Sequence, residues 1–213
     1  MIVSLLLALL IVVQAADDAP ASSPLEPIII SEPGFEVVVR REFYGVTGRS
    51  YRDANNAVMT RQVMVGGAAS AQASISFTYN VFMQNGACVL RDTFVAGDIV
   101  LTFPVWVEYE SRSRSDRNRW SEFFETMQVH ENYHAEITIQ SVERMLAALN
   151  DIEPAEDCAQ MRDRVEVTSD AVHDWLQRNQ REYDRVTRHG IEQDNVDGWQ
   201  PHDGAVGRRP VAD

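Results

Sequence analysis

The sequence predicts an α+β domain, with a small, mostly antiparallel sheet and one helix in the N-terminal half and two long helices in the C-terminal half. Three observations predict it. From Phe35 to Tyr109 apolar residues form β-branched runs or alternate with polar ones, the two-residue period of strands. From Trp120 to Val186 they recur every three or four residues, the period of helices. One polar break, "NDIEPAED", divides that second region in two. With 213 residues, 45% of them hydrophobic, the chain suffices for one domain with a real core plus tails.

The chain opens on "MIVSLLLALLIVVQAADDAPASSP", an apolar run from Ile2 to Val13 followed by small residues. This pattern predicts a signal peptide over 1–16, cut after Ala15 or Ala16, although its first residues lack Arg and Lys. The run is short of the roughly 20 apolar residues a membrane span needs, so no stable membrane association is expected after cleavage. Residues 17–33, rich in Ala, Pro and Ser, read as a flexible leader. "GFEVVVRREFYGVTG" is a strand closed by Gly45 and Gly48, "RSYRDANNAVMTRQVM" a short helix, and "GGAASAQAS" a loop. "SISFTYNVF" and "CVLRDTFV" flank an Asn-Gly turn as hairpin partners. "GDIVLTFPVWVEY" is a further strand, which Pro104 places at an edge or bulge.

The first long helix takes in Trp120, Phe123, Met127, His130, His134, Ile137 and Leu149, with Asp116 or Asn118 as its cap. The second carries Cys158, Met161, Val165, Val172, Trp175, Tyr183 and Val186 along one stripe and stops at Gly190. The domain is therefore expected over 34–191. Residues 192–213, polar and without periodicity, are expected to form a mobile tail.

Charge and cysteines narrow the function. Net charge is −13, and all 19 basic residues are Arg. Nucleic acid is excluded as a partner, since phosphate binding needs a dense basic face, and lysine chemistry is excluded outright. Arg112, Arg114, Arg117 and Arg119 read as a solvated loop balancing Glu108, Glu110, Glu122 and Glu125. Cys88 and Cys158 are expected to form a disulfide in an oxidising compartment.

"VHENYH" places His130, Glu131 and His134 at the spacing H-E-x-x-H on the apolar face of the first long helix. Residues four apart on a helix lie one above the other, so both imidazoles can reach one point. Neutral imidazole nitrogens bind Zn²⁺, and the intervening carboxylate can poise a water. A random ordering of this composition would give the pattern in only about one chain in a hundred. A catalytic zinc also needs a third protein ligand. Ile137 and Gln140 exclude the extended metzincin pattern. Glu153 and Glu156 in the break are conceivable, and among the remaining histidines His189 stands at a helix end, beside a glycine that permits close approach.

"W-x9-HENYH", "YGVTG", "CVL" before "TFPVW", and the closing "YDRVTRHG" together resemble a family of bacterial proteins regarded as secreted zinc-dependent proteases, domain of unknown function 922. The similarity runs from about Phe35 to Gly190. The resemblance implies His189 as third ligand to one Zn²⁺ per chain beside His130 and His134, with Asp184 as its rival. Glu131 is then the general base. Tyr183 is a candidate to stabilise the oxyanion, and Asp184, if not a ligand, a hydrogen-bond acceptor behind a ligand histidine. The expected function is a secreted or periplasmic zinc metalloprotease acting on a peptide or protein substrate, with "TFPVW" as an edge strand for an extended peptide. The alternatives are a non-catalytic exported binding module with a structural zinc or none, and a zinc hydrolase of a non-peptide amide.

Overall fold

The computed structural model describes residues 25–65, 68–193 and 199–201, so the expected signal peptide lies outside the described residues. The elements, in chain order, are β1 (Ile28–Glu32), β2 (Phe35–Val46), α1 (Tyr51–Val65), β3 (Ser70–Gln84), β4 (Ala87–Trp106), a 3-10 turn (Tyr109–Ser111), α2 (Arg114–Asn150) and α3 (Cys158–Thr187). The fold is α+β, with a four-stranded mixed sheet in the order β1-β2-β4-β3.

The sheet corrects the sequence reading in four places. Its central pair, β2 and β4, runs parallel from Phe35↔Val95 to Val46↔Trp106, while the two outer pairings are antiparallel. Local turn signals such as Asn85-Gly86 reveal hairpins. A parallel pair needs a long crossover, here α1 and β3, and leaves no local mark. "CVLRDTFV" and "GDIVLTFPVW" are one continuous strand. Small residues at Ser70–Ser74 extend β3 by pairing with Thr102–Asp98, and Ile28–Glu32 of the expected leader pairs with β2. Pro104 sits where β3 no longer reaches, two residues past the Ser70↔Thr102 pair, so its missing N–H interrupts no ladder on that side.

The strands show why Gly97 stands mid-strand without turning the chain. A Cβ there would lie 3.0 Å from Val142 of α2 and 3.2 Å from Val37 of β2. Glycine lets the helix descend onto the sheet. Val37, Val39, Val95, Ile99, Leu101 and Phe103 present one face to Ala135, Val142, Met145 and Leu149 of α2 and to Val165 and Val172 of α3. Alternation in the strands and helical spacing in α2 thus meet in a single core.

α2 begins earlier than expected. Ser113, not Asp116 or Asn118, is its N-cap, accepting from the Asp116 N–H. The Asp116 carboxylate instead accepts from the Ser113 hydroxyl and from the Tyr51 N–H at 3.0 Å, joining the starts of α1 and α2. These hydrogen bonds hold its pKa below the usual carboxylate range. Within the Arg run, Arg117 pairs with Glu110 at 3.6 Å.

Cys88 and Cys158 form the expected disulfide, with Cα atoms 5.2 Å apart. Beside it the Cys88 N–H donates to the Ala155 carbonyl and the Ala155 N–H to that of Cys88. Sheet and helix pair are thereby stitched together at the α2–α3 break. Closing a loop of 70 residues stabilises the fold by roughly 4 kcal/mol in the chain-entropy model. Thiol titration of denatured, unreduced protein should find neither cysteine free; two reactive thiols would contradict this bond. Gly97→Val raises strand propensity yet should destabilise by about 1–3 kcal/mol through overpacking against Val142. A denaturant midpoint equal to the parent's would contradict that packing.

Candidate metal centre

α2 and α3 run antiparallel from the break, so the far end of α3 returns to the middle of α2. Ile137 packs with Trp175 and Leu176, Gln180 bonds the backbone of His134, and Asp184 meets His130 and His134. His130, Glu131 and His134 therefore lie in a seam between the helices, at 6%, 8% and 9% exposure. Polar groups this dry need partners, and the surrounding residues supply them.

The Nε2 atoms of His130 and His134 are 3.1 Å apart. Asp184 Oδ1 lies 3.2 Å from the first and 3.1 Å from the second. Among the described residues these three form the group able to hold a metal ion. A tetrahedral zinc with bonds near 2.05 Å separates its ligands by about 3.3 Å, so the triangle has the dimensions of a zinc site, slightly contracted. Burial would raise the Asp184 pKa, but hydrogen bonds from the two histidines outweigh it and hold the carboxyl well below its usual range. For His134 burial opposes the charged form, yet the Asp184 and Gln180 bonds leave its pKa raised.

The tautomer of His134 follows from its neighbours. The Gln180 amide nitrogen donates to the His134 carbonyl at 3.0 Å and to the Thr138 hydroxyl at 3.2 Å. Its oxygen must then face His134 Nδ1, which it contacts. Nδ1 carries a proton and Nε2 is the nitrogen that faces the seam, where it would give up the proton it shares with Asp184 and offer its lone pair to a metal. His130 Nδ1 faces two oxygens, Gln193 Oε1 at 3.3 Å and Thr187 Oγ1 at 3.5 Å.

Glu131 does not join the triangle. Its pKa is raised, first by burial, with His130 and His134 pulling the other way. Its carboxylate accepts the backbone N–H of Ala71 on β3, which ties the outer strand to the site.

Two further residues of the sequence reading, His189 and Tyr183, lie beside this triangle. His189 stands outside the triangle, its side chain 78% exposed and its Nδ1 3.4 Å from Asp184 Oδ1. Past the end of α3, Arg188, His189 and Gly190 all have positive φ, at 49°, 54° and 83°. That left-handed turn swings His189 to the outside of Asp184, and such strain gathers at functional sites. Tyr183 is fully buried, stacked on His130 with centroids 5.1 Å apart and on Tyr133 at 4.4 Å. Its hydroxyl accepts from Gln193 at 2.7 Å, and burial raises its pKa. His130, Tyr133 and Trp199 pack around its ring.

Sequence reasoning missed Gln180, Gln193 and Thr187. Gln180 had a readable signal, standing one helical turn before Asp184 on the same face. Thr187 lies inside "YDRVTRHG", but Gln193 lies in a stretch with no pattern to mark it.

A family model described as "Bacterial protein of unknown function (DUF922)" matches residues 41–190. No curated protein and no solved structure matches the chain.

The match ends on Gly190, which has a geometric task. It is buried, left-handed, and so close to the His130 ring that a Cβ would lie 3.3 Å from its Cγ. Gly190→Ala should cost about 1–2 kcal/mol from the backbone conformation alone. Thermal unfolding at the parent's temperature would contradict this account of the turn.

Proposed function

This chain belongs to the DUF922 family of bacterial proteins, and from that premise we propose that it is an exported zinc-dependent hydrolase of peptide bonds. The observation that carries the reading is the triangle of the buried His130 and His134 with the half-buried Asp184, and the Glu131 carboxylate beside it. Zinc bound there supplies Lewis acidity, drawing the pKa of a coordinated water toward about 7 and polarising a carbonyl. His130, His134 and Asp184 hold the ion. Three donors among the described residues support a catalytic site over a closed structural tetrahedron.

Glu131 accepts the proton of the attacking water and delivers it to the leaving amine. Burial, which favours its protonated form, suits it to both halves of that exchange. Tyr183, expected as an oxyanion donor, serves in this reading to fix the plane of His130. Asp184 completes the donor set in place of His189. His189 then approaches the same carboxylate from outside and shares in orienting it.

A peptide substrate is favoured by the outer strand. β3 pairing on β4 ends at Thr102, so "TFPVW" runs past it, but Pro104 in that short stretch has no N–H to donate, and β3 itself is the longer edge. β3 is the edge nearest the site, and its Ala71 N–H points at Glu131. Alternation then turns the outer backbone groups of Ala71, Ala73 and Ile75 away from β4, a template for an extended chain beside Glu131. Export is supported by the Cys88–Cys158 bond, and no helix among the described residues is long and apolar enough to cross a membrane.

Purified protein should hold about one zinc per chain and cleave unfolded peptides, with chelator abolishing cleavage. Glu131→Gln should keep the metal and lose roughly 10²–10⁴ in rate. After dialysis against a weak chelator, Asp184→Asn should lose its zinc and His189→Ala should retain most of it. The reverse order would transfer the third position to His189. Metal-free parent protein would sink the reading altogether.

A further inference from the structure

We propose that two residues beyond α3, outside the span shared with the family, position the metal centre: Gln193 sets the tautomer of His130, and Trp199 braces the aromatic rings packed against it. The inference rests on the reading that His130 binds zinc.

The residues in question were expected to belong to a mobile tail. Two observations overturn that for Gln193 and Trp199–Pro201. Trp199 closes an aromatic cluster with Tyr133 and Tyr183, ring centroids 5.6 and 5.3 Å away, and its carbonyl accepts the Tyr133 hydroxyl at 2.6 Å. Pro201 is buried. Gln193 donates its amide to the Tyr183 hydroxyl at 2.7 Å and places its oxygen 3.3 Å from His130 Nδ1. A tail free of tertiary contacts would make none of these.

The chemistry at His130 Nδ1 is one-sided. Thr187 donates its hydroxyl to the Tyr183 carbonyl at 2.8 Å, so toward His130 its oxygen acts as an acceptor, as it does for the Gly190 N–H at 3.3 Å. Gln193 likewise offers an oxygen. Both neighbours demand a proton on Nδ1, which leaves Nε2 as the nitrogen facing His134 and Asp184. Gln180 performs the same task for His134, but from within α3. Thr187 at 3.5 Å is at the limit of a hydrogen bond, so the shorter Gln193 contact is the principal one. Two metal-facing histidines are thus set by two glutamines, one inside the matched span and one beyond it.

The test compares zinc affinity, by competition with a chromophoric chelator, in the parent and in Gln193→Leu, Gln193→Glu and Trp199→Ala, with melting of each metal-free protein alongside. Gln193→Leu should bind zinc roughly 10–100-fold more weakly, beyond any loss of stability from leaving the Tyr183 hydroxyl without its donor. Gln193→Glu, which still accepts from His130, should recover most of the affinity. Trp199→Ala should weaken binding in the same direction. Parent protein that binds no zinc overturns the metal reading and this inference with it. A parent that binds and a Gln193→Leu protein that binds equally well overturns this inference alone. So does Gln193→Leu that loses affinity only in step with stability, without rescue by Gln193→Glu.

Discussion

Everything at the centre of this molecule depends on one carboxylate, Asp184, half-buried between two buried imidazoles. Buried ionisable groups are costly unless each has a partner, and here the partners come from different helices. Neither helix can satisfy its polar residues alone. α2 brings His130, Glu131 and His134; α3 brings Gln180, Asp184 and Thr187. The antiparallel helix pair is consequently held by its polar seam as well as by Ile137, Trp175 and Leu176. The sheet enters the same arrangement through Ala71, whose N–H meets the one carboxylate in the seam that no histidine engages.

Around that seam, packing and polarity divide the labour. Aromatic rings immobilise one side of His130, with Tyr183 stacked on it, Tyr133 on Tyr183 and Trp199 closing the end. Amide and hydroxyl oxygens fix the protons on both histidines. Gly190 allows the chain to leave α3 across the His130 ring instead of away from it. Stacking sets ring planes and the Nδ1 hydrogen bonds set which nitrogen faces inward, so both Nε2 atoms converge on Asp184 before any ligand arrives. Such preorganisation is what a site built on rigid helices offers over one built on loops.

How much of this the sequence disclosed follows from the range of each signal. His130, Glu131 and His134 were legible because their spacing and their burial arise within one helix. The cysteine pairing was legible because only two cysteines exist. The parallel β2/β4 pair was not, since it joins residues about sixty apart with no turn between them. Gly190 announced a helix end. It did not announce that Arg188 and His189 would also turn left-handed and carry the imidazole outward, leaving Asp184 inside. Gln193 and Trp199 were read as a tail because polarity without period resembles solvated chain. Their partners lie far off in sequence, on both long helices.

The disulfide stands at one end of the helix pair and the seam at the other, 26 residues along α3 and so about 39 Å apart. Those two closures act together as a register lock. Long packed helices can ratchet past one another by a turn, about 5.4 Å, at modest cost in apolar contact. A slide of α3 by one turn would bring Gln180 to the place of Asp184 and exchange a carboxylate for a neutral amide beneath the two histidines. Cys158, covalently fixed to the sheet, forbids that slide. The bond that looks like a remote staple therefore decides which residue of α3 faces the histidines, and a chain in which it has not yet formed has no such guarantee.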